Sequence, residues 1–233
     1  WITSANIACG FHAGDPLVMD RTVALAAARG VGVGAHPGFP DLRGFGRRNL
    51  DCTLDEVRTD IVYQVGALQA FCAAHGTRLQ HVKPHGALYN LAVGNEALAR
   101  AIAQAVARVD SGLCLVTLAG PEAELMARIG REEGVRVVFE AFPDRAYTPE
   151  GRLVSRRLPG AVIEDPAQAT ERALRMATEG RIRAVDGTVL EMDIATLCVH
   201  GDTPSALALV QAIRRGLEEA GVALVPMGAA EGA

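Results

Sequence analysis

The chain has 233 residues, 49% hydrophobic and 21% charged, with a net charge of −4 and a mean hydropathy of +0.17. That is apolar material for one full α/β core, without the roughly 18-residue apolar run that spans a membrane or the basic balance that marks a nucleic-acid binder. Five cysteines (Cys9, Cys52, Cys72, Cys114, Cys198) are odd in number and lack CxxC spacing. They therefore read as thiols of a reducing cytoplasm, not as a disulfide framework or a zinc site.

In chain order, "ITSANIACG" reads as a strand. "PLVMDRTVALAAARG" reads as a helix with Asp15 as N-cap, Pro16 at its first position and Gly30 as its stop. "VGVGAHPG" is the next strand, followed by a basic, glycine-rich segment from Phe39 to Cys52 expected to be a loop over the functional pocket, then a long helix from about Leu54 to His75. "LQHVKPHGALY" is expected as a strand, then "NEALARAIAQAVARVD" as a helix, "LCLVTLAG" as a strand, "PEAELMARIGREEG" as a helix and "VRVVFEAF" as a strand. An irregular excursion from Pro143 to Asp165 breaks the rhythm. A helix over 166–180, a hairpin turning at Asp186-Gly187, a strand "ATLCVHGD", a helix "PSALALVQAIRRGLEEAG" and a small edge strand "VALVPM" complete the chain. The chain starts at Trp1 and enters a strand almost at once, which leads us to expect a preceding N-terminal piece.

Strand–helix alternation implies a parallel sheet. Chemically capable residues follow five strands: His12 and Asp15; His36; Lys83 and His85; Glu140, Asp144 and Arg145; His200 and Asp202. A barrel lets most strands contribute from one rim, whereas an open doubly wound sheet gathers its chemistry at one switch point, so a single (β/α) barrel domain over 1–233 is expected. Neither a dinucleotide fingerprint nor a phosphate-binding P-loop is present.

His12 and His36 sit in glycine-flanked turns with Asp15 and Asp41 close behind. They suit an acid–base pair, and a divalent-metal reading stays open. Of 23 basic residues only Lys83 is lysine. A compact amine that can lose its proton is something arginine does not imitate, so Lys83 is a candidate base, nucleophile or anchor, flanked by His81 and His85 on one strand face if the strand stays regular past Pro84. Glu140 in an apolar strand end needs a partner, and Asp144, His200 and Asp202 are further candidates; Asp15 and Asp202 also read as helix caps. Arg47, Arg48 and Arg145 are candidates for binding a carboxylate or phosphate.

"SANIACGFHAGDP", "GVGVGAHPGFPDLRGFGRR", "YQVGALQAF", "HVKPHGALYN", "EAFPDRAY" and "CVHGDTPSA", in this order from Ser4 to about Leu224, resemble the LamB/YcsF family. The resemblance implies a distorted seven-stranded (β/α) barrel of the glycoside hydrolase/deacetylase type, whose first strand, with an acidic "DLNxDxGE" motif, would precede Trp1. It also implies ATP-dependent opening of the 5-oxoproline lactam to glutamate, with ATP as co-substrate and partner subunits B and C. In that reading Lys83 holds a carboxylate or phosphate, His12 and His36 act as acid–base groups or metal ligands, His85 is a further catalytic candidate, and Glu140, Asp144 and His200 orient water and substrate. Two other readings stay open: a metal-dependent deacetylase or amidase, and a non-catalytic substrate-binding subunit.

Overall fold

The computed structural model describes residues 1–227; residues 228–233 of the expected single domain lie outside the described residues. Strands and helices alternate along the chain, which divides into two compact units. One comprises residues 3–117, 124–138 and the C-terminal end from 226; the other comprises 1–2, 118–123 and 139–225.

In the first unit, β1 (Ser4–Ala8), β2 (Gly32–His36), β3 (Leu79–Val82), β4 (Cys114–Leu118, to Thr117) and the first half of β5 (Arg136–Ala141) lie side by side in that order. The pairs β1/β2, β2/β3 and β3/β4 are parallel, as the alternation implies. Helix α1 (Pro16–Ala27) starts where expected, with the Asp15 carboxylate accepting from the Val18 N–H at 3.0 Å. Helix α2 (Leu54–Ala74) opens with a reciprocal box: Thr53 Oγ1 accepts from the Glu56 N–H at 3.2 Å, and Glu56 Oε2 accepts from the Thr53 N–H at 2.7 Å. Its buried stripe of Val57, Ile61, Val65, Leu68 and Cys72 packs against α4 (Glu96–Val109), which buries Leu98, Ile102 and Val106.

Here one expectation is corrected. The strand over "LQHVKPHGALY" ends at Val82, and the short helix α3 (Gly86–Ala92) takes up Tyr89 and Asn90. Beyond the strand's end the Lys83 and His85 N–H groups still donate to the Ala35 and Pro37 carbonyls, each at 2.8 Å, and His85 keeps extended backbone, so Pro84, which has no N–H, falls between the two donors. The segment from Phe39 to Cys52 contains no helix or strand, in line with the loop expected there.

In the second unit the end of β5 pairs in parallel with β8 (Thr196–Leu197), with Glu140 opposite Thr196 and Ala141 opposite Leu197. The expected strand "ATLCVHGD" is thus only two residues of ladder. Between them β6 (Arg181–Arg183) and β7 (Val189–Glu191) form the expected antiparallel hairpin around Asp186-Gly187. Helices α6 (Pro166–Glu179) and α7 (Ala206–Glu219) bury Ala169 and Ala173 against Leu209, Ile213 and Leu217. The cap of α7 is Ser205, not Asp202, which stays exposed in the preceding turn. "VALVPM" forms no strand among the described residues. No helix among the described residues is long and apolar enough to cross a membrane.

Candidate active site

Strand register builds the floor of the first cluster. Asn6, Gly34 and His81 are consecutive partners across β1, β2 and β3, so their side-chain positions share one face. The His81 ring lies across Gly34, where an added Cβ would stand 1.9 Å from Nε2, and that nitrogen's N–H donates to Asn6 Oδ1 at 2.8 Å. Burial first, then the charge of Lys83, lowers the His81 pKa to about 3. The ring is therefore neutral, with Nδ1 as its unprotonated nitrogen, buried and without a hydrogen-bond partner among the described residues.

Beyond the strand ends three imidazoles meet. His12 and His85 stack with centroids 3.8 Å apart and 1° between planes, and His36 stands edge-on to both, at 5.7 and 4.7 Å. His36 Nδ1 lies 2.6 Å from the Lys83 carbonyl oxygen and its Nε2 lies 2.9 Å from His85 Nδ1. His85 Nε2 lies 2.8 Å from the Phe45 carbonyl oxygen. Burial, then Lys83, then His85 hold the His36 pKa well below the ordinary 6.5. Burial, then His85 and Arg47, bring that of His12 to about 3. His12 Nδ1 is buried without a hydrogen-bond partner among the described residues.

The 39–52 segment packs onto this cluster. Phe45, at φ 54, sets its ring edge-on to His12 (5.5 Å) and His85 (5.2 Å), and the Arg47 guanidinium lies 4.9 Å from the Phe45 ring centre. Gly46 approaches so closely that a Cβ there would stand 2.9 Å from both His12 and His85 side-chain atoms. The Gly46 carbonyl accepts from the Ala87 N–H at 2.9 Å, tying the segment to α3. Arg48 is engaged by the buried Asp41 carboxylate through Nε at 3.0 Å. The Arg48 hydrogen bonds hold the Asp41 pKa at about 2 against burial, with help from the Gly44 N–H. Buried Gln64 of α2 clamps Gly38 from both sides, accepting from its N–H and donating to its carbonyl, each at 3.0 Å.

Lys83 is buried, its Nζ 5.7 Å from the Tyr89 ring centre. Together these place Lys83, His12, His36, His85, Arg47 and Arg48 in one unit.

The second unit holds a carboxylate–imidazole pair. Buried Asp144 Oδ2 accepts from the His200 backbone N–H at 3.0 Å and from its Nδ1–H at 2.8 Å. Burial raises the Asp144 pKa, but the hydrogen bonds and charge of His200, with Arg145, outweigh it and the net shift is downward. An ionised carboxylate accepts only, so Nδ1 carries a proton toward Asp144. Three hydrogen bonds shape the Asp144 turn: the Tyr147 hydroxyl accepts from the Phe142 N–H at 2.9 Å, and Arg172 donates to the Pro143 and Arg145 carbonyls at 3.0 and 2.6 Å. The Phe142 ring stacks on His200 at 5.2 Å. Arg145 is buried and donates to the Ala161 and Val154 carbonyls, which holds the 143–165 excursion. Glu140 is buried at the end of β5.

His36 does not fit a metal in this arrangement, because each of its ring nitrogens already faces a protein partner within 2.9 Å. Among the described residues no three His, Cys, Asp or Glu side chains are grouped to hold one. The expected His12–His36 metal pair is therefore not supported by the donor geometry. Sequence reasoning missed Asn6, Phe45, Gln64, Tyr147 and Arg172, which act by packing or through backbone groups and carry no motif of their own.

The comparisons agree with this architecture. A protein from Syntrophobacter fumaroxidans named as the A subunit of 5-oxoprolinase is 55% identical over 98% of this chain and 89% of its own length. One of the same name from Pyrococcus furiosus is 55% identical over 98% and 88%. The crystal structure of the lactam utilization protein from Thermus thermophilus superposes with a TM-score of 0.88 at 50% identity, covering 97% of this chain and 89% of that one. The model of the LamB/YcsF family matches residues 1–232, and the chain belongs to that family.

Proposed function

We propose that this chain is the A subunit of an ATP-dependent 5-oxoprolinase, which opens the 5-oxoproline lactam to glutamate. The observation that carries this is identity of about 55%, over nearly all of the chain, to proteins named for that component. The site chemistry supports it. Lactam opening needs water to attack the carbonyl carbon and give up a proton, and the ring C–N bond to break as its nitrogen gains one.

Lys83 and Arg47 suit the anionic end of the substrate or a phosphate placed on it, with Arg48 and Asp41 shaping the segment that carries Arg47. His12, the one member of the imidazole trio whose ring nitrogens are not engaged by protein carbonyls or by another ring nitrogen among the described residues, is the acid–base group there. His36 and His85 orient it. In the second unit His200 is the base that takes the proton of water, Asp144 fixes its tautomer, Glu140 adds a carboxylate and Arg145 holds the turn. Asp202, exposed before α7, is assigned to substrate approach. The nucleotide step belongs with partner subunits B and C, in the cytoplasm. A distorted seven-stranded barrel forming one domain is the architecture we infer, supported by the parallel strand order.

The deciding experiment measures glutamate and ADP formation from 5-oxoproline by this chain reconstituted with subunits B and C, against each subset. Turnover only in the full set is expected. No turnover there, combined with zinc-dependent deacetylation by the isolated chain, would replace the reading.

A further inference from the structure

Two rings and two carbonyls form a chain of three close approaches: the Lys83 oxygen to His36 Nδ1 (2.6 Å), His36 Nε2 to His85 Nδ1 (2.9 Å), and His85 Nε2 to the Phe45 oxygen (2.8 Å). A carbonyl oxygen only accepts, so each outer approach needs a proton on the ring nitrogen, and the inner one needs a proton between the rings. Two neutral imidazoles carry two protons. Whichever way they are placed, one of the three approaches sets two lone pairs against each other.

We propose that the His36–His85 pair holds one proton in excess, shared across the 2.9 Å nitrogen–nitrogen approach, and that this proton latches the 39–52 segment onto His12. In this state all three approaches are hydrogen bonds with the nitrogen donating or sharing.

The groups facing the pair are Lys83 after β3, His12 and Cys9 after β1, and Arg47 in the segment itself. Cys9 is neutral, its thiol pushed up to about 12 chiefly by burial. His12 is neutral too. Burial and the Lys83 charge therefore oppose the extra proton, while the two carbonyls demand it. Loss of the proton must open one approach. Lys83 and His36 are fixed at strand ends, where the Lys83 N–H donates to the Ala35 carbonyl at 2.8 Å. Phe45 sits in the left-handed region at φ 54, unfavourable for a residue with a Cβ, so the Phe45 end is the one that lets go.

This deepens the reading of the cluster as an acid–base centre and rests on it, but its test counts protons and needs no turnover. Ring ¹H–¹⁵N spectra of the labelled full chain would be followed from about pH 5 to pH 9, the range in which imidazoles change charge. At the acid end, three protons are expected on the four ring nitrogens of His36 and His85, one of them coupled to both rings. Its loss with rising pH should share a midpoint with shifts of the Phe45, Gly46 and Arg47 amides. Lys83→Met should raise that midpoint by about one pH unit or more, because the opposing charge is gone. Two protons throughout, or a loss that leaves those amides unmoved, would overturn the proposal, as would an unshifted midpoint in the variant. The proton count and the coupling are read on the unaltered chain, so both stand if the variant does not fold.

Discussion

The imidazoles of His12 and His85 lie parallel at 3.8 Å, and the backbone of Gly46 passes close enough that no side chain fits between it and either ring. His85 is fixed by its ring neighbour and by the Phe45 carbonyl, so the stack presents His12 from a defined platform. Positioning of this kind is where most of an acid–base group's advantage comes from.

Gly46→Ala tests the approach of the segment. The position has φ 64, and a Cβ would stand 2.9 Å from His12 Cβ and His85 Cδ2. The variant meets left-handed strain and a steric clash together, so a loss of about 1–3 kcal/mol in urea unfolding is expected. Lactam opening should fall by at least about tenfold as His12 is displaced. Unchanged stability and turnover would show that the segment does not hold the ring.

Asp144→Asn tests the second pair. The amide oxygen of asparagine can still accept from both the backbone N–H and Nδ1–H of His200, but it carries no charge to hold a proton on that ring. Turnover should drop about 10²–10⁴-fold with KM little changed, the signature of a positioning residue acting through His200. The folded-state pKa of Asp144 is lowered, so its contribution to stability is present above the ordinary carboxyl value and lost as pH falls through the lowered one. Acid unfolding curves of parent and variant should therefore converge at the low end. A constant gap between them would remove the linkage.

Much of this was legible in the residues. Asp15 before Pro16 marks a helix start by chemistry alone, and the alternation of apolar strands with helices implies parallel pairing. His12, His36 and Lys83 stand out because glycine turns and a solitary lysine are unusual. The meeting of His85 with His36 was not legible: Lys83 and His85 go on donating to the Ala35 and Pro37 carbonyls past the last ladder residue, and only that pairing brings the two rings together. Phe45 acts on His85 through a carbonyl that any residue supplies, so no letter announces it. Gln64 reads as an ordinary interior helix position, and only the fold brings its amide to Gly38. The β8 pairing is two residues long, too short for a pattern.

His81 makes a prediction about acid stability. Its folded pKa is about 3 against an ordinary 6.5, so the folded state refuses a proton that the unfolded chain accepts. For a base shifted downward the sign is clear: its contribution is constant above the ordinary value, and stability is lost as pH falls below it. His81→Gln keeps a donor for Asn6 and cannot titrate. The stability difference between parent and variant, from urea unfolding between about pH 6 and pH 4, should move against the parent by close to 1.4 kcal/mol per pH unit. A flat difference would mean that His81 is protonated in the folded chain.

The last prediction concerns the only lysine. Lys83 is buried at the end of β3, its ammonium 5.7 Å from the Tyr89 ring and its charge felt by both His36 and His81. Exchange for arginine keeps the charge and changes volume, planarity and the ability to lose a proton. At a solvated position that exchange is nearly silent, and 22 of this chain's 23 basic residues are already arginine. At this buried position the larger, forked group has to shift its neighbours to fit. Lys83→Arg should therefore abolish lactam opening in the reconstituted complex while circular dichroism stays that of the parent. Lys83→Met, of similar length and uncharged, then separates shape from charge: partial activity points to a positional role, and none points to a required amine. Glutamate formation by the arginine variant within about threefold of the parent, under roughly 0.7 kcal/mol in transition-state terms, would assign Lys83 to charge balance alone.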